Sequence, residues 1–127
     1  MSKPFYVKFE VSKELADAAY EALQIAAKTG GVRKGTNETT KAIERASAKL
    51  VVIAEDVEPP EVVAHLPLLC DERKIPYLFV PNKEKIGTAI GIDVPAAAAS
   101  IVKEGDAAGL VKEIATRIEQ LKRGSGG

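Results

Sequence analysis

From Lys13 onward, apolar residues recur at helical spacing: Leu15, Ala18, Ala19, Ala22, Leu23, Ala26 and Ala27. A period near 3.6 places them on one face, which predicts a helix with Ser12 as its cap. The "TGG" at 29–31 ends it. A short strand follows at Val32–Lys34, then a second helix from about Asn37 to Ala46. "KLVVIAED" (49–56) is almost wholly apolar until its acids. Such a run reads as a strand buried on both faces, so helices must cover the sheet. "EPPEVVAHLPLLCDERK" predicts a helix with Pro59 or Pro60 in its first turn. Pro67 is expected to break or kink it near Leu66. "IPYLFVP" is another buried strand, and "NKEKIGTAIG" a short helix capped by Asn82. "IDVP" is a loop and "AAAASIV" a strand. "DAAGLVKEIATRIEQLKR" is an amphipathic helix. The alternation predicts an α/β fold: a three-layer α-β-α sandwich around a four-stranded mixed sheet. One domain, 1–123, is expected, with "GSGG" (124–127) as a flexible tail.

Composition narrows the picture. The 127 residues are 46% apolar and 28% charged, which suits one globular core. Aromatics are few and Trp is absent, so the core should be Val, Ile, Leu and Ala. Net charge is zero, so any nucleic-acid binding must use a local patch. Charge is unevenly spread. Between Val32 and Lys49 five cations (Arg33, Lys34, Lys41, Arg45, Lys49) face two anions, Glu38 and Glu44. Between Glu55 and Glu72 there are six carboxylates and no Lys or Arg. The plain reading of both is solvated surface. No apolar run reaches membrane-spanning length, and "MSKPFYVKFE" does not read as a signal peptide, so a cytoplasmic protein is expected.

Several chemistries are poorly served. One cysteine, Cys70, permits no internal disulfide, and its leucine-rich surroundings point to a buried, inert thiol. With one Cys and one His (His65), no zinc site of usual spacing exists. Nor does the pair, five residues apart, suit nucleophilic catalysis. Gly30 and Gly35 have the spacing of a phosphate loop, but Thr36 stands where that loop requires lysine. Glu55, Asp56 and Glu58 could coordinate Mg²⁺, yet acids just before a helix also complement its dipole, and that structural reading is preferred. No catalytic residue, metal or cofactor is expected.

"RKGTNETTKAIERA" (33–46) is more specific. Helix N-terminal amides favour anions, phosphates above all. Thr36 and Asn37 are candidate caps, which is the ordinary role for them. But Glu38, Lys41 and Arg45 fall on one helical face. A carboxylate, an amide and two cations suit a base edge better than phosphate alone. A guanine edge fits: Asn37 or Lys41 would donate to O6 or N7, and Glu38 would accept from N1–H.

That stretch, together with "HLPLLCDERKIPY", resembles the ribosomal L7Ae family in its archaeal, kink-turn-binding large-subunit form, over residues 12 to 121. The resemblance implies binding to a bulge flanked by sheared G·A pairs. Implied partners are kink-turns in rRNA, in box C/D and H/ACA guide RNAs and in RNase P RNA, with a guide-particle scaffold protein and fibrillarin. The alternative is a ribosomal structural protein binding rRNA only. Implied RNA-binding residues are Lys34, Gly35, Thr36, Asn37, Glu38, Lys41, Arg45, Glu58, Val62 and Lys83. The loop Ile92, Asp93, Val94 and Pro95 would lie over the bulged nucleotide, with Ile92 and Val94 near solvent. Sheared pairs leave guanine N1–H and O6 free, and proteins favour such irregular RNA sites. Two departures stand out. Ala46-Ser47 replaces the family's frequent glycine, which should alter the helix end slightly. Asp93 stands where glutamate is common, which should shorten a loop contact.

Overall fold

A computed structural model describes residues 3–126, with side chains to Gly124. Helix α1 (Lys13–Thr29) leads into strand β1 (Gly31–Lys34), helix α2 (Thr36–Glu44) and strand β2 (Leu50–Ala54). A 3₁₀ turn (Pro60–Val62) precedes α3 (His65–Arg73). Then come β3 (Tyr77–Val80), α4 (Lys83–Ala89), β4 (Ala98–Lys103), a second 3₁₀ turn (Gly105–Ala107) and α5 (Ala108–Gly126). α5 thus continues into the segment expected as a tail, and Gly127 lies outside the described residues.

The caps explain the boundaries. Ser12 Oγ accepts from Leu15 N–H at 3.1 Å, and Asn82 Oδ1 accepts from the N–H groups of Glu84 and Lys85 at 2.8 and 3.2 Å. Each satisfies amides that the first helical turn leaves open. The expected helix across 58–74 is divided. A 3₁₀ turn and two turn residues, Val63 and Ala64, come first, and α3 starts only at His65. Pro67 therefore does not break a helix. It is the third residue of α3, where its missing N–H has no carbonyl to meet.

The sheet order is β1-β4-β2-β3. β4 runs antiparallel to both β1 and β2, and β2 runs parallel to β3. All five residues of β2 and all four of β3 are buried, as unbroken apolar runs predict. Helices α1, α4 and α5 pack on one face, and α2 and α3 on the other. The core is mainly aliphatic and alanine-rich. The expectation of a purely aliphatic core is corrected at one place: Tyr6 and Phe9 pack on Tyr77 and Phe79 of the edge strand β3, with ring centroids 5.3–6.2 Å apart. Four scarce aromatics are gathered there because residues 3–12, which form no helix or strand, bring Tyr6 and Phe9 onto that strand. Tyr6 also donates to Ala54 O at 2.6 Å.

This topology has one consequence for function. β1, β2 and β3 all point the same way, so their carboxyl ends and the start of β4 share one end of the sheet. Segments 35–38, 55–62, 81–83 and 92–97 emerge there. In open α/β sheets that end is where ligands are usually held.

Candidate nucleic-acid interface

The turn from β1 into α2 is built on Gly35. Its φ of +90° lies in the region L side chains avoid, although open space surrounds it. Gly35 N–H donates to Ala98 O at 2.9 Å, which pins the start of α2 beside the start of β4. Gly35 is also the N-cap, and no side chain caps the helix. The ordinary capping role considered for Thr36 and Asn37 is therefore not realised. They are the first and second residues of α2, and Glu38 is the third. The first three amides have no intrahelical acceptor and point along the helix axis toward its N-terminal end. Asn37, Glu38 and Lys41 are exposed. Lys41 Nζ lies 3.4 Å from Glu38 Oε2, an ion pair about half exposed on both sides. Such a pair is weak enough for a ligand to part.

Arg45 continues this face as the C-cap of α2, about 13 Å along the axis from Thr36. The helix then ends with Ala46 at φ +57°. Ala46 N–H donates to Ile43 O and Ser47 N–H to Ala42 O, both at 2.9 Å. This is the closure that glycine normally provides, held here by an alanine in a left-handed conformation.

The first two acids after β2 are used by the fold. Glu55 pairs with Lys3 at 3.1 Å, and Asp56 Oδ1 accepts from Lys83 N–H at 2.9 Å. Glu58 is exposed, and its carboxylate has no ion pair among the described residues. Val62, on the 3₁₀ turn, is 42% exposed. Among the described residues no cluster of three His, Cys, Asp or Glu could hold a metal ion, and no helix is long and apolar enough to cross a membrane. Cys70 is buried, and burial, aided by the charge of Asp71, pushes its thiol up to about 12.

The loop 91–97 forms the other side of the site. Ile92 N–H donates to Gly87 O at 3.0 Å, and Ala96 N–H to Lys83 O at 3.1 Å. Gly87 is needed for this closeness: a Cβ there would sit 2.1 Å from Val94 O. Ile92, Asp93, Val94 and Pro95 line a groove of ≈ 530 Å³ with Glu84 and Thr88 of α4. The two aliphatic residues differ, which corrects the expectation that both lie near solvent. Val94 is 61% exposed, whereas Ile92 is half-buried and packs on the core. The backbone bond to Gly87 draws Ile92 inward.

Lys34, Gly35, Thr36, Asn37, Glu38, Glu58, Val62, Lys83 and the 92–95 loop therefore emerge at one end of the sheet, while Lys41 and Arg45 extend away along α2. Two contributors were not visible in the sequence. Gly87 could be distinguished from a simple helix glycine only by the loop above it. His65, on α3, contacts Thr40 of α2 across 25 positions, and no periodicity links them.

An exposed helix start and the 92–95 loop, set at the carboxyl end of a mixed sheet in a three-layer α/β domain, form a candidate binding edge on a small protein. The chain belongs to the Ribosomal protein L7Ae/L30e/S12e/Gadd45 family, whose profile matches residues 17–111. A solved structure similar to it is the 15.5kD RNA binding protein of Giardia lamblia. The two are 33% identical with a TM-score of 0.88, over 93% of this chain and 98% of that one.

Proposed function

We propose that this protein binds RNA through this edge and recognises kink-turns, as an archaeal member of its family. The observation that carries the reading is the pairing of an α2 start without a side-chain cap, bearing exposed Asn37, Glu38 and Lys41, with the Val94 loop, which runs into β4 where Ala98 O takes the Gly35 N–H. A phosphate-only patch has no use for Glu38, whereas a carboxylate beside an amide and an ammonium matches the free O6 and N1–H of sheared guanines. Lys34, Lys83 and Arg45 supply charge for the flanking phosphates. Thr36 and the backbone at Gly35 form the entry to the helix. Glu58 and Val62 border the site on the α3 side, and Ile92, Asp93, Val94 and Pro95 cover the extruded nucleotide. The partners in this reading are kink-turns of rRNA, of box C/D and H/ACA guide RNAs and of RNase P RNA, with a scaffold protein and fibrillarin joining the guide particles in the cytoplasm.

A kink-turn is opened by phosphate repulsion at low divalent concentration. A protein that prefers the bent form shifts that equilibrium by its differential affinity. With dyes on the two arms of an isolated guide-RNA kink-turn and no Mg²⁺, adding protein should raise transfer efficiency. Unchanged transfer at saturation would rule out kink stabilisation, and failure to bind a guide-RNA kink-turn at all would favour an rRNA-only role.

A further inference from the structure

Thr40 sits one turn inside α2, behind the exposed face. Its Oγ1 lies 2.8 Å from Thr36 O and 2.9 Å from His65 Nε2. A hydroxyl has one proton, and a carbonyl oxygen can only accept. The proton therefore points to Thr36 O. Oγ1 is left with lone pairs for His65, so Nε2 carries a hydrogen and donates. This arrangement holds for the Nε2–H tautomer and for the imidazolium alike.

Thr36 O belongs to the planar peptide unit whose N–H is that of Asn37. Beside the intrahelical bond from Thr40 N–H, Thr40 and His65 thus give a second hold on the peptide that sets the direction of Asn37 and Glu38. His65 is the first residue of α3, three positions after Val62. The two bonds join the α2 side of the binding edge to its α3 side. Thr40 and His65 are both half-buried, where water competes poorly for such bonds.

We infer that His65, acting through Thr40, is a positioning residue for RNA recognition: it holds the Thr36–Asn37 peptide in the orientation that the RNA reads. The inference rests on the RNA-binding reading above. Without the link, the backbone bonds alone hold the first turn, and affinity falls by the cost of removing its remaining freedom when RNA binds.

The test uses the full chain and an isolated kink-turn RNA. Thr40→Val keeps the shape but loses the hydroxyl, and His65→Leu loses the donor. Both should weaken binding roughly threefold to tenfold, the usual range for one net hydrogen bond. Thr40→Ser and His65→Gln, which restore a hydroxyl and an N–H donor, should recover most of it. Thr40→Val should melt close to wild type, and its Asn37 amide resonance should move in a ¹⁵N–¹H spectrum. Wild-type affinity in Thr40→Val and His65→Leu, or equal losses in the conservative pair, overturns the positioning role if Glu38→Ala still weakens binding. Wild-type affinity in Glu38→Ala as well overturns the RNA-reading surface itself, and the positioning role with it.

Discussion

Val94→Ala separates recognition from stability most cleanly. Val94 is 61% exposed at the rim of the loop groove. Fully burying a valine side chain is worth about 1.5–3 kcal/mol, so roughly three-fifths of that, about 1–2 kcal/mol, remains to be gained when a nucleotide covers it. Truncation to alanine leaves one of three side-chain carbons, so most of that gain is lost, about 1 kcal/mol, or close to fivefold in Kd. The unbound protein loses little, because an exposed side chain contributes at most about 0.5 kcal/mol. Its melting temperature should move by no more than about 2 °C. Ile92→Ala is the internal control. Ile92 already packs on the core, so its truncation should cost about 1–2 kcal/mol of stability. That corresponds to a melting temperature lower by about 4–8 °C. Both variants are to be followed by thermal melting and by titration into kink-turn RNA. A Val94→Ala protein that melts early yet binds RNA as wild type does would falsify the placement of this loop on the RNA.

Other outcomes follow from the same geometry. Lys41→Ala and Glu38→Ala should each cost about 1–3 kcal/mol of kink-turn affinity. Only the lysine variant should lower the slope of log K against log salt, by about one; equal slopes in the two would contradict a base-reading carboxylate. Ala46→Gly should stabilise the protein by about 1 kcal/mol in denaturant titration, because it relieves a left-handed alanine at φ +57° while keeping both closing bonds; a loss of stability would mean that the methyl group has a packing role. Stability should decline at alkaline pH. Burial raises Tyr6 from 10.0 and Cys70 from 9.0 to about 12, and raises Tyr77 further. The neutral forms are thus favoured by folding: their stabilisation is complete below about pH 9 and is lost as pH climbs toward 12. Urea midpoints that stay level between pH 8 and pH 11.5 would contradict it.

Local pattern alone determined most of the secondary structure. Unbroken apolar runs marked β2 and β3 as buried strands, and Ser12, Asn82 and the glycines at 30–31 marked helix ends, because these signals act over one or two turns of chain. The same was true of the candidate face on α2, since Glu38, Lys41 and Arg45 are brought together by helical repeat alone. Matters that depend on contacts between distant segments were decided only by the tertiary structure. Pro67 falls in a first turn rather than a kink because the chain turns at Val63–Ala64 to lay α3 beside α2. Asn37 is free rather than a cap because β4 takes up Gly35 N–H and makes Gly35 the cap. Ile92 and Val94, alike in sequence, part company because Gly87 lets the loop close on α4. The acids at 55 and 56 belong to the fold because Lys3 and the α4 amide at Lys83 reach them from 52 and 27 positions away. Hydrophobic periodicity carries the direction in which a residue points along its own element. Which partner it meets is set by strand order, and that depends on the packing of the whole sheet.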